Sequence, residues 1–469
     1  MQRCALLVWL VTSACASSAL DGDDTVTAVL PTDCVATDAP SLHGCMQQLL
    51  AGQTTRIAIT GDITCGGADG CHLLFDAFAG PATVFGARPD GQNAVLHRVD
   101  HFDYHLIEIK RSAGLEFRDL DLQEGERNQP SDLFGTPGYD INASCDVAPE
   151  ECKTAVEVTA DSHDILFDHV SILESKGQGM EIGNVENVTV RNSLIRHSWA
   201  NGIWTTSGTL EVPNEHVPFN LRLENNELVD NRCSAIELSA AGDSVISGNV
   251  LRHNHMGSIY HVPGGQLAIE MNTSKLTIVD NEIRDGRIDE DPVLAAQGWL
   301  SVGIEFTDSH VHGVAIDHNY IHDVTGGGVI HDPPPPGGSR TDFGPIVITN
   351  NVFAQVGIEG GLVNFDPSDL AVGDNCSNAT CTWRRPTGTL APSAQTCAGD
   401  PVTGLCSLTI SWSSADSRAT TGVNVVIEGA TFASGASGSQ EAPWISARPA
   451  RFDLYDGETL LDSARVRAD

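Results

Sequence analysis

From about residue 105 to residue 365 one arrangement of apolar and polar positions recurs: an alternating strand, a short polar step often containing Asn, then an apolar pair. It begins with Leu115-Glu-Phe-Arg-Asp-Leu-Asp-Leu122, Ile165-Leu-Phe-Asp-His-Val-Ser-Ile172 and Val188-Thr-Val-Arg-Asn-Ser-Leu-Ile195. It continues through Leu221-Arg-Leu-Glu-Asn-Asn-Glu-Leu228, Ser244-Val-Ile-Ser-Gly-Asn-Val-Leu251 and Leu276-Thr-Ile-Val-Asp-Asn-Glu-Ile283, and ends with Val314-Ala-Ile-Asp-His-Asn-Tyr-Ile321 and Ile346-Val-Ile-Thr-Asn-Asn-Val-Phe353. The third residues from Phe167 to Ile348 are spaced by 23, 33, 23, 32, 38 and 32 positions. A period near 23 with insertions of about ten describes stacked units that bury a core only together. Alternation rich in Val, Ile and Thr, with no helical spacing, predicts that the units are β coils. Asn226, Asn249, Asn281, Asn319 and Asn351 share one aligned position. Asparagines stacked at a tight bend tolerate left-handed backbone angles and can bond coil to coil, so this column reads as structural.

These repeats resemble the right-handed parallel β-helix of the pectin-lyase-like superfamily over about 300 of the 469 residues. The resemblance implies an all-β fold with an N-terminal helical cap and a small disulfide-rich or β C-terminal region. Residues 39–53 supply the amphipathic cap, followed by a strand at Thr55-Arg-Ile-Ala-Ile59. The expected divisions are an export signal over 1–19, the capped β-helix over 34–365, a cysteine-containing loop region over 366–406 and a C-terminal β region or cap over 407–469. Final coils, a β cap or a small sandwich all fit this last part. The superfamily includes pectate, alginate and chondroitin lyases, uronan C5-epimerases, polygalacturonase-type hydrolases and adhesins, which implies a polysaccharide partner. The chain lacks the Asp-Pro-His-Asp of uronan epimerases, the Gly-His-Gly and Arg-Ile-Lys of polygalacturonases and the Trp-Ile-Asp-His of many pectate lyases. The fold and the polysaccharide context carry over; no family's catalytic residues do.

Composition narrows the partners. With 26 Lys and Arg against 62 Asp and Glu, the formal charge is −36, which excludes phosphate recognition by basic clusters. Nucleic acid is therefore not an expected partner, and a monomer is expected. The basic start Met1-Gln-Arg, an apolar run over Cys4–Val11 and the small residues that follow read as an export signal. Two cleavage readings compete. Val11-Thr-Ser-Ala-Cys15 resembles a lipobox that would lipidate Cys15, whereas Ala14-x-Ala16 or Ser17-x-Ala19 would release the chain; release is preferred because Thr12 is a weak lipobox residue. No later run is long enough for a transmembrane segment. Ten of the 13 cysteines form close neighbours, Cys34/Cys45, Cys65/Cys71, Cys145/Cys152, Cys376/Cys381 and Cys397/Cys406, which read as local disulfides of an extracellular or periplasmic protein.

Stacking aligns candidate chemistry into columns. Eleven residues after the bend stand Glu181, Trp204, Glu237 and Tyr260, with Glu157 before them and Glu305 and His331 continuing the column. Outward carboxylates interrupted by aromatic rings resemble a sugar-binding groove, with Glu181, Glu237 and Glu305 as acid–base candidates and Trp204 and Tyr260 as stacking platforms. A second column holds His197, Asp230, His253, Asp285 and Asp323 beside Arg196, Arg252 and Arg284. An interlocking charge ladder explains it; the functional alternative makes Arg252 or His253 the base of a lyase or epimerase. That chemistry needs the uronate carboxylate neutralised, for which Ca²⁺ on Asp285, Asp289 and Asp291 is the candidate. The Gly- and Pro-rich loop over residues 326–338 reads as a rigid groove wall, and at its base lie His331, a further catalytic candidate, and Asp332, a substrate-binding candidate. The expected function is an exported polysaccharide lyase or C5-epimerase, with a β-helix glycoside hydrolase or a non-catalytic glycan-binding surface module as alternatives.

Overall fold

A computed structural model describes residues 33–66, 71–88, 92–98, 105–124, 154–206, 218–254, 265–270, 273–286, 300–307, 311–331, 344–358, 361–363, 365, 370–377, 381–418, 422–427, 429–447 and 450–468. Residues 1–19, expected to be an export signal and including Cys15, and also Cys145 and Cys152, lie outside the described residues.

The repeats form parallel coils. One coil contributes the strands Val185–Arg191, Leu194–Arg196 and Ile203–Thr206. The next stacks on it with Arg222–Glu224, Glu227–Val229 and Ile236–Leu238. The first two strands of each coil join a 20-stranded sheet and the third joins a ten-stranded sheet. Alternation sends one set of side chains inward: Val190, Leu223, Ile246, Ile278, Ile316 and Ile348 are in register and buried. In the same core Phe75 meets Phe117 edge to face and Phe117 stacks on Phe167, with centroids 5.6 and 5.0 Å apart.

The asparagine column occupies the bend between the first two strands. Each amide nitrogen donates to the Oδ1 of the next coil's asparagine at 2.9–3.0 Å, from Asn226 through Asn249, Asn281, Asn319 and Asn351 to Asn375. Each also closes a backbone gap, as Asn249 Nδ2 does on Leu223 O at 2.8 Å. The residue before the asparagine is left-handed, with φ of 55° at Asn225 and 57° at Asp280. The stack therefore runs past residue 365: Leu370–Gly373 pairs with Ile346–Thr349, and Asn375 ends the ladder.

At the other end, helix Ala39–Leu50 closes the first coil, burying Leu42, Cys45, Met46 and Leu49 over it. Asp38 caps it by accepting Ser41 N–H at 2.9 Å, and the Cys34–Cys45 disulfide ties it to the first strand. Cys65–Cys71, Cys376–Cys381 and Cys397–Cys406 are also paired. Among the described residues no helix is long and apolar enough to cross a membrane.

Residues 387–468 form a sandwich, antiparallel except where Thr396–Cys397 pairs with the last strand, with its own core around Ile410, Val425, Phe452 and Leu454. It packs on the outer face of the 20-stranded sheet through charge. Arg191, 1% exposed, donates to Asp168 Oδ2 at 2.9 Å and, across 262 residues of sequence, to Asp453 Oδ1 at 2.8 Å. Arg465 adds a bond to Asp168 at 3.0 Å, and Asp280 receives Thr459 and Arg418. Burial alone raises the Asp168 carboxyl, but His169 and the Arg191 charge reverse that and hold it far below the carboxylate range. A carboxyl lowered in the folded state contributes stability above its unfolded value near 4, and loses it as pH falls through the lowered value. Removing one member of a buried pair strands the others, so Arg191→Ala should destabilise the protein by about 3–5 kcal/mol. Thermal unfolding at neutral pH checks this, with a wild-type-like midpoint as the contrary result.

Candidate functional site: the carboxylate row on the ten-stranded sheet

The ten-stranded sheet presents its outward residues as rows, because each coil repeats the alternation of the last. One row is Glu108, Glu157, Glu181, Trp204, Glu237, Ala268, Glu305 and Ile330, paired position by position. The sequence-derived order Glu157–Glu181–Trp204–Glu237 and the membership of Glu305 hold. Two positions differ from expectation. Ala268, rather than Tyr260, follows Glu237, because the insertion in that coil delays its strand to Leu267–Ile269; Tyr260 itself lies outside the described residues. Ile330 rather than His331 follows Glu305. His331 pairs with Phe306, is 3% exposed and lies 5.7 Å from the Phe365 ring, so it belongs to the inward set.

The second column stands elsewhere. His253 and Asp285 are left-handed corner residues, with φ of 54° and 52°, and Arg252 ends a strand of the 20-stranded sheet. Arg252 donates twice to Glu227 Oε1, at 2.9 and 2.6 Å. His253 sits between Asp230 and Asp285 at 3.6 and 3.4 Å, and Arg284 holds Asp285 at 2.7 Å. This is the interlocking ladder, outside the carboxylate row, and its groups already neutralise one another. Asp289, Asp291 and Asp332 lie outside the described residues. Among the described residues no three His, Cys, Asp or Glu are placed to hold a metal ion.

The two ends of the row differ electrostatically. Toward the N-terminus, Glu108 receives His72 at 2.8 Å and pairs with Lys110, which also reaches Glu157 at 3.4 Å; His105 lies 3.6 Å from Glu157. Burial works against the Glu108 charge, yet Lys110 brings that carboxyl below its ordinary value, while burial outweighs Glu108 and keeps His72 below its own. Lys110 is the cation those two acids share.

Glu237 is placed differently. Its carboxyl is pushed up to about 7, first by burial and then by the negative charge of Glu270, against hydrogen bonds from Asn201 and Trp204. Glu270 faces outward one coil on and two residues along, since Ala268 pairs with Glu237. Asn201 Nδ2 donates to Glu237 Oε2 at 2.8 Å. Trp204 Nε1 donates to Ser239 Oγ at 3.1 Å, and Ser239 donates to Glu270 Oε2 at 2.9 Å. The arrangement is a carboxyl poised to be protonated near neutrality, a neighbouring carboxylate oriented by a hydroxyl, and an indole between two coils. Such a pair can give and take protons across a substrate bond.

Glu270, Ser239 and Asn201 escaped sequence reasoning. The signal for Glu270 is present in Leu267-Ala-Ile-Glu270, which aligns with Ile236-Glu-Leu-Ser239 once the insertion before it is allowed its length.

Parallel coils, the asparagine bend and the helical cap together give the chain an all-β parallel β-helix fold. Residues 154–376 match the family described as a right handed beta helix region. No curated protein matches the chain. An alginate lyase from Paenibacillus sp. str. FPU-7 is similar in structure at 12% identity and a TM-score of 0.49, over 72% of this chain and 99% of that one. The A-module of the Azotobacter vinelandii mannuronan C-5 epimerase AlgE4 aligns at 16% identity and TM-score 0.45, over 74% and 94%. PfbA, a surface adhesin of Streptococcus pneumoniae, aligns at 13% and 0.44, over 70% and 87%. These likenesses concern the coil architecture.

The raised Glu237 carboxyl has a consequence for stability. Between its ordinary value of 4.5 and about 7 the folded state binds more protons than the unfolded one, so stability falls as pH rises through that window. The isosteric Glu237→Gln removes this dependence. Its unfolding midpoint should match the wild type at pH 5 and exceed it at pH 8, by a free energy on the order of 2 kcal/mol. Equal midpoints at both pH values would contradict the assignment.

Proposed function

We propose that the protein is an exported carbohydrate-active enzyme that cleaves a polysaccharide lying along the outer face of the ten-stranded sheet. The observation that carries this reading is the Glu237–Glu270 pair, one carboxyl pushed up to about 7 beside a second carboxylate, in a row that also holds Trp204. Glu237, protonated below about pH 7, donates its proton to the glycosidic oxygen as that bond breaks. Glu270, held by Ser239, supports the developing positive charge at the anomeric carbon or activates the water that attacks it. Trp204 offers a ring face for a sugar. Glu181 extends the row and serves as an acceptor for sugar hydroxyls, whereas Glu305 is fully buried. The row and the −36 charge favour a neutral glycan, and disulfides at both ends favour an extracellular or periplasmic setting. This puts hydrolysis ahead of uronate elimination or epimerisation, because Arg252 and His253 belong to a ladder outside the row.

One observation favours a second reading. Lys110 on the same face supplies a cation for an acidic sugar's carboxylate, and His72, which burial keeps in its neutral form, supplies a base for its proton, as a lyase or epimerase requires.

Reducing ends released from a panel of neutral glycans test the first reading, and absorbance from unsaturated products of polyuronates, with and without Ca²⁺, tests the second. On the responsive neutral glycan, Glu237→Gln should lower kcat by about 10²–10⁴. Wild-type turnover should fall as pH rises above about 7, where Glu237 loses its proton. Full activity in Glu237→Gln would overturn the proposal.

A further inference from the structure

Asn201 lies in the turn before the Trp204 strand, is 4% exposed, and is tied on every polar atom it has. Its backbone N–H donates to Gln178 Oε1 at 2.7 Å, and its carbonyl accepts Gly179 N–H at 3.0 Å. Its Oδ1 accepts the Ser234 N–H at 2.9 Å, and its Nδ2 donates to Glu237 Oε2 at 2.8 Å. The amide has one orientation. Turning it over would press an NH₂ against the Ser234 N–H and an oxygen against Glu237 Oε2, losing two buried bonds.

An oxygen that accepts an N–H in a buried site is a poor place for a proton of its own. We propose that Asn201 is the positioning residue of the Glu237 acid: it reserves Oε2 as an acceptor and so assigns the carboxyl proton to Oε1. The inference rests on the reading of Glu237 as proton donor and adds which oxygen donates and what holds it there. The same bond favours the charged carboxylate, offsetting the burial and the Glu270 charge that favour the neutral form. Asn201 therefore lets Glu237 lose its proton to substrate and recover it within an ordinary pH range. Coil stacking is what makes the contact: Asn201 precedes its coil's strand and Glu237 stands on the strand of the next, so neither residue predicts the other from its local sequence.

Two variants separate this role from packing. Asn201→Asp keeps the acceptor for Ser234 but places a carboxyl oxygen on Glu237 Oε2, and Asn201→Leu removes both bonds at similar volume. The Glu237 side-chain carboxyl is titrated by carbon NMR in protein labelled on Glu, with Glu237→Gln assigning the signal. Both variants should raise its titration midpoint by about one pH unit or more, since each removes a donor to the charged form. With a responsive glycan, the alkaline limb of the kcat profile should move up by the same interval while kcat falls about tenfold and KM changes little. An unmoved midpoint in Asn201→Asp overturns the positioning role even where Glu237→Gln abolishes turnover. A shifted midpoint in a protein without turnover on any glycan upholds the Asn201 contact and overturns the enzymatic reading instead.

Discussion

Parallel strands stacked in register about 4.8 Å apart leave every coil bound by the position of the one before it. The asparagine ladder enforces this at the bend, where each amide satisfies both a backbone carbonyl and the next amide oxygen. With that corner fixed, the facing of every later residue in the coil follows. A side chain on the ten-stranded sheet faces outward because the bend a few residues earlier leaves no other register. Glu181, Trp204, Glu237 and Glu305 form a row for this reason, although insertions of differing length separate them in sequence.

The molecule carries much negative charge and treats it in two ways. At the sandwich interface the acids are matched: Asp168, Arg191 and Asp453 form a dry ion group whose hydrogen bonds offset the cost of burial. The left-handed corners do the same at the surface, alternating His253 with Asp230 and Asp285. In the row, Lys110 and two histidines serve Glu108 and Glu157. Glu237 is buried beside a second carboxylate with the Asn201 amide as its donor, and burial and that neighbour move its proton equilibrium to neutrality. A group whose environment opposes its charge is costly to the fold, which is why such groups mark functional sites.

The coil architecture was legible because hydrophobic alternation and the aligned asparagines are local, repeated signals. The row was legible as far as coils without insertions run: counting eleven residues from the bend finds Glu181, Trp204 and Glu237 correctly. It failed at Tyr260, where an inserted loop changes the count, and at His331, one residue past the Ile330 that stands eleven after Asn319, because a shift of one residue exchanges inward for outward. Arg252 and His253 illustrate a different limit, since their spacing suited chemistry while their backbone angle and carboxylate partners suited a corner. Glu270 and Asn201 depend on contacts between successive coils, which no single stretch of sequence displays. The C-terminal strands lack a repeat, so their closure into a sandwich awaited the antiparallel pairings themselves.

The most direct test of the central claim is a crystal structure of the Glu237→Gln protein with a neutral oligosaccharide that the wild type cleaves. The account predicts the chain lying along the ten-stranded sheet, a sugar ring against Trp204, a glycosidic oxygen within hydrogen-bond reach of the residue 237 side chain, and Glu270 across the same linkage. An oligosaccharide bound elsewhere, on the sandwich or the 20-stranded sheet, would contradict it.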